Sequence, residues 1–287
     1  MAGNISLSRR DIDVLGKIRD PESNPESGLR LDPSLPKDPH ITDAVEYDAV
    51  SQRERELILS MQEAEMELAG LKEKTLPDPV EAYRACVARL GRLVEEHPRY
   101  ASARNNRAQA LRRLYGDDML LEPIIDGPVL GSPRPQRGVE AILSGPAADA
   151  TERAEAAATV LSDLDRAIAL LMPAPASLAS AALSPTAAKT LSLAFTQRAA
   201  IYYASSKQLA SNSRRCNAAV DRPEARWSEM DFEEAASRDF AMGGRFGNEI
   251  ARGLAVGTNP TAKLCGQMVQ QMMKGEYGAE NGSGSKV

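Results

Sequence analysis

Asn106-Arg107-Ala108-Gln109-Ala110-Leu111 is answered ninety-odd residues later by Gln197-Arg198-Ala199-Ala200-Ile201-Tyr202. Each of these stretches is followed, after an interruption, by an acidic segment with small residues at helical spacing: Asp163-Leu164-Asp165-Arg166-Ala167-Ile168 and Asp231-Phe232-Glu233-Glu234-Ala235-Ala236. A chain that repeats a helix pair predicts a stacked array of helical hairpins, an architecture that mostly binds other proteins.

The composition agrees. Hydrophobic residues make up 43% of the 287, enough for a sizeable core, while aromatics are only 4%. Abundant alanine favours helices that approach closely, so the expectation is an all-α fold. The net charge of −5 gives no general attraction to nucleic acid or to anionic membranes. No apolar run approaches the roughly 20 residues that span a bilayer. Met1-Ala2-Gly3-Asn4-Ile5-Ser6 is polar, unlike a secretion signal. The cysteines Cys86, Cys216 and Cys265 are odd in number and far apart, which suits a reducing cytoplasm or nucleus better than a disulfide framework.

Residues 1–45 carry Pro21, Pro25, Pro33, Pro36 and Pro39 and read as an extended arm. Within it Ile12, Leu15 and Ile18 share one helical face, which either docks on the body or frays. The helical domain is expected over 46–274. Its first helix spans about 45–73, with Leu57, Met61, Ala64 and Leu68 as its apolar stripe inside a solvated charge run. Asp78-Pro79 caps and opens a second helix to about Glu96, with Cys86, Leu90, Leu93 and Val94 inward. A third follows from about Tyr100 to Leu114. Residues 117–150 are rich in Pro and Gly and read as an inserted loop, Met119-Leu120-Leu121 lying on the surface. Further helices are expected at 151–171, from Ser184-Pro185 to about 206, and from Glu224 to Met242, the last stopped by Gly243-Gly244. A second insertion covers about 207–223. Two more helices follow, about 246–255 and about 260–274, and Met268, Met272 and Met273 give the last an apolar, core-capping face. Residues 275–287 form a Gly/Ser-rich tail.

A tetratricopeptide repeat is a helix pair of about 34 residues with small residues where its helices cross and a proline after the second. Ala108 and Ala199 sit at the small site of a first helix, Leu111 and Tyr202 at the bulky site beyond it. Leu164 and Ala167, then Phe232 and Ala235, repeat the bulky-then-small spacing in second helices, and Pro98 and Pro173 fall near the closing proline. Cys86, Leu90 and Leu93 fill the corresponding sites of a degenerate first repeat. The chain further resembles the tetratricopeptide repeat protein 36 family, on Asp11-Ile12-Asp13-Val14-Leu15-Gly16-Lys17-Ile18-Arg19-Asp20-Pro21, on Ala103-Arg104-Asn105-Asn106-Arg107-Ala108, and on Asn259-Pro260-Thr261-Ala262-Lys263-Leu264-Cys265-Gly266-Gln267-Met268. Thr261 departs from the aromatic usual there. The resemblance implies three repeats with C-terminal capping helices. It also implies a non-catalytic adaptor associated with Hsp70-type chaperones and with tyrosine metabolism.

In stacked repeats the first helices line a concave groove. The residues expected there are Ser102, Asn105, Asn106, Gln109, Arg112 and Arg113, then Thr196, Gln197, Ala200 and Tyr203. Amides suit a peptide backbone and arginine a carboxylate. Chaperone-binding repeats hold a terminal carboxylate with Lys, Asn, Asn, Lys and Arg. Of that clamp this chain keeps Asn106, while Leu193 and Gln197 stand at third-repeat positions. The second expectation is a stabilising subunit that coats a metabolic enzyme through its convex face. The chain is read as a monomer.

No enzyme constellation emerges. His40 and His97 read as surface residues, and no Cys/His pairing, phosphate loop or metalloprotease motif is present. No cofactor or metal is expected. Cys86 and Cys265 are expected buried, Trp227 anchors the last repeat's second helix, and Cys216 beside Arg214-Arg215 is a candidate exposed thiol of lowered pKa.

Overall fold

Side-chain caps fix where most of the described helices begin. The computed structural model describes residues 30–122, 150–173, 182–212, 216, 218 and 221–278. Asp43 accepts from the backbone N–H groups of Val45 and Glu46 and starts α1, Ala44–Leu68. Asp78 does the same for Val80 and Glu81, with Pro79 in the first turn, and starts α2, Pro79–Glu96. After α3, Ala101–Tyr115, and α4, Ala150–Leu171, the hydroxyl of Ser184 accepts from the N–H of Ala187 at the start of α5, Pro185–Asn212. Ser228 and Asp231 form a reciprocal capping box for α6, Glu229–Arg245. Asn248 caps α7, Glu249–Thr258, and α8 follows as Pro260–Gly278.

The described part of the chain is thus mostly helical. Its only strands are the two-residue parallel pair Arg30–Leu31 (β1) and Ala182–Leu183 (β2). From α1 to α7 each helix packs on the next, and α3 also touches α5. Ala108, Ala167 and Ala199 are fully buried and Ala235 nearly so, where larger side chains would hold the helix axes apart. Leu164 and Phe232 are buried beside them. One core runs from α1 to α7. A smaller cluster of Ile41, Val50, Leu93, Val94, Tyr100 and Ala103 lies under the start of α1.

Several elements depart from the sequence expectation. The first helix ends at Leu68 rather than near 73, because Gly70 adopts φ 70° and buried Glu67 accepts from the backbone of Thr75 and Leu76, tying the loop back. Met119, Leu120 and Leu121 are wholly buried, not spread on the surface. The helix α5 runs on to Asn212, into the stretch read as an insertion. Gly243-Gly244 does not stop α6. Both glycines lie inside the helix at its crossings: a Cβ on Gly244 would stand 2.8 Å from Arg252 Cα, and one on Gly243 2.6 Å from Thr196 Oγ1. The turn falls at Gly247, φ 107°. The last helix does not cap the core: Leu264, Met268 and Met272 are exposed, and so is Cys265, which had been expected inside. Cys86 is buried as expected. Trp227 stands just before α6 and packs edge-on against Tyr202 and Phe232, ring centroids 5.1 Å from each.

The amphipathic piece at 11–18, most of the first insertion (123–149) and the tail from 279 lie outside the described residues. The later part of the arm is fastened. Asp32 N–H donates to Leu183 O, Ser184 Oγ to Lys37 O, and His40 Nε2 lies 3.0 Å from Leu170 O.

Candidate functional site

The first helices of the successive pairs, α1, α3 and α5, come together along a polar seam, and the expected groove residues lie on it. Its first knot is Glu54. This side chain occupies the apolar stripe of α1 between Val50 and Leu57 and is only 5% exposed. Its carboxylate accepts from Tyr100 Oη at 2.6 Å, Ser102 Oγ at 3.1 Å and Asn106 Nδ2 at 2.7 Å. Burial pushes its pKa above the usual carboxylate value, and the three hydrogen bonds offset that only in part.

The second knot joins α3 to α5. Gln197 Nε2 donates to Asn105 Oδ1 at 2.9 Å, and both residues are buried. Arg112 donates to Gln197 Oε1 at 3.1 Å and to both carboxylate oxygens of Asp117, at 2.7 and 2.9 Å. Farther along, Arg113 reaches Glu65 at 3.4 Å. On α5, Thr196 donates to Ser192 O and accepts from Asn248 Nδ2. Tyr203 is half-buried, its ring under the ammonium groups of Lys207 and Lys263, both of which pair with Glu233. Ala200 is half-buried, and Gln109 is exposed.

Of the predicted set, Asn105, Gln197 and Arg112 hold one another, while Ser102 and Asn106 are held by Glu54, Arg113 by Glu65 and Thr196 by Ser192 and Asn248. Asn106 presents its amide to an internal carboxylate, and Asn105 with Gln197 lies under the surface. Sequence reasoning missed Glu54, Glu65, Asp117 and Asn248. For Glu54 a signal existed: it stands four residues after Val50 and three before Leu57, on the buried stripe rather than the solvated face.

A second concavity of about 480 Å³ opens between α4, α5 and α6, with Trp227 on its wall. Its floor is an ion network. Arg198 binds Asp239 through Nε and Nη2 at 2.7 and 2.9 Å, and Asp165 through Nη1 at 2.6 Å. Arg222 bridges Asp165 and the buried Glu224, whose carboxylate also accepts from Tyr202 Oη. The earlier pair has its own version: Arg104 and Arg107 both close on Asp163, which is 1% exposed. Each guanidinium is spent on a carboxylate, so these networks cross-link helices.

Cys216 is half-buried, donates to Glu224 O, and has its thiol pushed up by burial, opposite to the lowered pKa considered for it. Among the described residues no three His, Cys, Asp or Glu side chains converge as metal ligands, and no helix is long and apolar enough to cross a membrane.

Over 278 residues the chain is 33% identical to the L-tyrosine degradation gene cluster protein hmgX of Aspergillus fumigatus, a match that covers 94% of this chain and 93% of that protein. No family model and no solved structure matches the chain.

Proposed function

Since the chain belongs to the family of the tyrosine-degradation cluster protein hmgX, we propose that it is a non-catalytic accessory protein of tyrosine breakdown that binds an enzyme of that route. In this reading the pairs α1–α2, α3–α4 and α5–α6 are three tetratricopeptide-type repeats, the first degenerate, and α7 is the cap. The likeness to the tetratricopeptide repeat protein 36 family belongs to the same proposal.

The observation that carries the choice of partner is the bond from Asn106 to Glu54. A chaperone tail would need that amide for its own terminal carboxylate, and here a buried side-chain carboxylate already holds it. With Asn105 and Gln197 also turned to each other, the seam offers few amides to an extended peptide. A folded enzyme, held over a broad face of the helix stack, asks for none of them. Gln109, Arg113 and Tyr203 remain at the surface of the seam and favour a second reading, in which a helix of the partner lies along it.

The test is affinity capture from cells grown on tyrosine, using wild type, Asn106→Ala and Gln109→Ala/Arg113→Glu. The expected result is capture of a tyrosine-degrading enzyme by all three proteins. Loss of that enzyme from the seam variants moves the contact into the groove. Tight binding of a peptide ending in Glu-Glu-Val-Asp, or turnover of a tyrosine-derived substrate by the chain alone, rejects the proposal.

A further inference from the structure

The concavity between α4, α5 and α6 has a spent floor and an unspent rim. On the floor, Arg198 and Arg222 are tied to Asp165, Asp239 and Glu224. At the rim stand Asp221, just ahead of the short turn Pro223–Arg226, and Arg238 of α6. Both are exposed, and among the described residues neither enters a hydrogen bond or an ion pair. Ala235, Arg238 and Asp239 recur at i, i+3 and i+4, so α6 turns one face to the hollow. The rest of the wall is largely apolar. Trp227 is half-buried there, braced edge-on by Tyr202 and Phe232 with centroids 5.1 Å away, and Pro223 completes it.

We propose that this hollow is a binding site for a free aromatic amino acid, with the ammonium on Asp221, the carboxylate on Arg238 and the ring against Trp227. Its volume of about 480 Å³ suits a small molecule. A guanidinium fork matches a carboxylate, and an aromatic wall takes a second ring edge-on or offset. Charge selects the zwitterion. The floor sets three carboxylates against two guanidinium groups, and the rim adds one of each, which leaves one negative charge over. A simple anion would answer Arg238 and meet repulsion from Asp221. A simple amine would answer Asp221 and stand beside Arg238 with nothing to offer it. An amino acid answers both and brings no net charge into a hollow whose floor is already paired. The assignment stands on the hollow alone, so loss of the proposed enzyme partner leaves it intact.

Trp227 is the chain's single tryptophan, so its emission reports on the site directly. The full chain is titrated with L-phenylalanine and L-tyrosine, followed by that emission and by calorimetry. Three further probes each lack one group: tyramine the carboxylate, 4-hydroxyphenylpyruvate the ammonium, and L-alanine the ring. Saturable binding is expected for both aromatic amino acids, with dissociation constants about tenfold or more higher for the three incomplete probes. Asp221→Asn and Arg238→Gln are each expected to weaken amino-acid binding about tenfold. Neither should move the melting temperature, since neither side chain is bonded within the fold. Asp221→Asn is further expected to tighten binding of the 2-oxo acid, because the repelling charge is gone. Absence of both an emission change and heat with L-phenylalanine up to about 10 mM overturns the proposal, as does amino-acid binding indifferent to both variants. Tyramine bound as tightly as tyrosine makes the hollow a cation site, and the 2-oxo acid bound as tightly makes it an anion site; either result also overturns it.

Discussion

Glu54 shows how one buried side chain can occupy groups that a surface would otherwise present. Unfolded, it titrates near 4.5. Folded, burial holds its pKa higher, so the native state binds the proton more tightly. This group's contribution to stability is therefore complete below about pH 4.5 and is lost as pH rises through the folded value. Glu54→Gln keeps the acceptor for Tyr100 and Ser102, and a flipped Asn106 amide can receive its N–H. The variant is expected to be more stable than wild type at pH 7 and to show a flatter dependence between pH 4.5 and 7 in chemical denaturation. Glu54→Ala strands three polar partners and is expected to cost about 1–3 kcal/mol. The sequence carried the periodicity that places Glu54 inside. It carried no trace of Tyr100, Ser102 and Asn106 converging on it from α3, since that convergence exists only once the helices pack.

At the scale of elements, local chemistry was readable and crossings were not. Asp78-Pro79 and Ser184-Pro185 announced their helices because a cap and its proline act within one turn. The alanines at 108, 167, 199 and 235 announced close approach because each stands three residues from a bulky partner: Leu111, Leu164, Tyr202 and Phe232. Gly243-Gly244 misled, because glycine ends a helix by adopting positive φ and opens a crossing by lacking a Cβ, and a sequence does not distinguish the two uses. Gly244→Ala is expected to force α7 off α6, with Arg252 Cα at 2.8 Å from the new methyl. The expected loss is about 1–3 kcal/mol, read as a lower melting temperature, and an unchanged melting curve would place the helices farther apart than described. The buried Met119-Leu120-Leu121 and the outward face of α8 escaped for a related reason: an apolar run states that it needs cover, not where the cover lies.

For the molecule as a whole, the two arginine networks differ in reach: Arg104 and Arg107 tie α3 to α4 through Asp163, while Arg198 also crosses from one pair of helices to the next. Arg198 gathers Asp165 of α4 and Asp239 of α6 from its place on α5, so three helices share one guanidinium. Arg198→Met leaves the 7%-exposed carboxylate of Asp239 unpaired and is expected to cost about 3–5 kcal/mol in equilibrium unfolding. Restoring an uncharged partner with Asp239→Leu is expected to recover much of that loss, and failure of the double variant to recover would point to packing rather than charge. The helical character was legible in the repeated motif, but the ion pairs do not follow it: Arg107 and Arg198 occupy matching positions in the motif and find their carboxylates at different distances along the chain.

The short β1–β2 pair has a consequence for biosynthesis. Ser184 reaches back 147 positions to the carbonyl of Lys37, and the strand at Arg30–Leu31 has its mate at Ala182–Leu183. While a ribosome is still adding the first hairpins, the strand at Arg30–Leu31 has no mate, although Ile41 behind it can already settle on Leu93, Val94 and Tyr100. The strand is paired only by a segment made after α1 to α4, so its register is set once the first four helices have been synthesised.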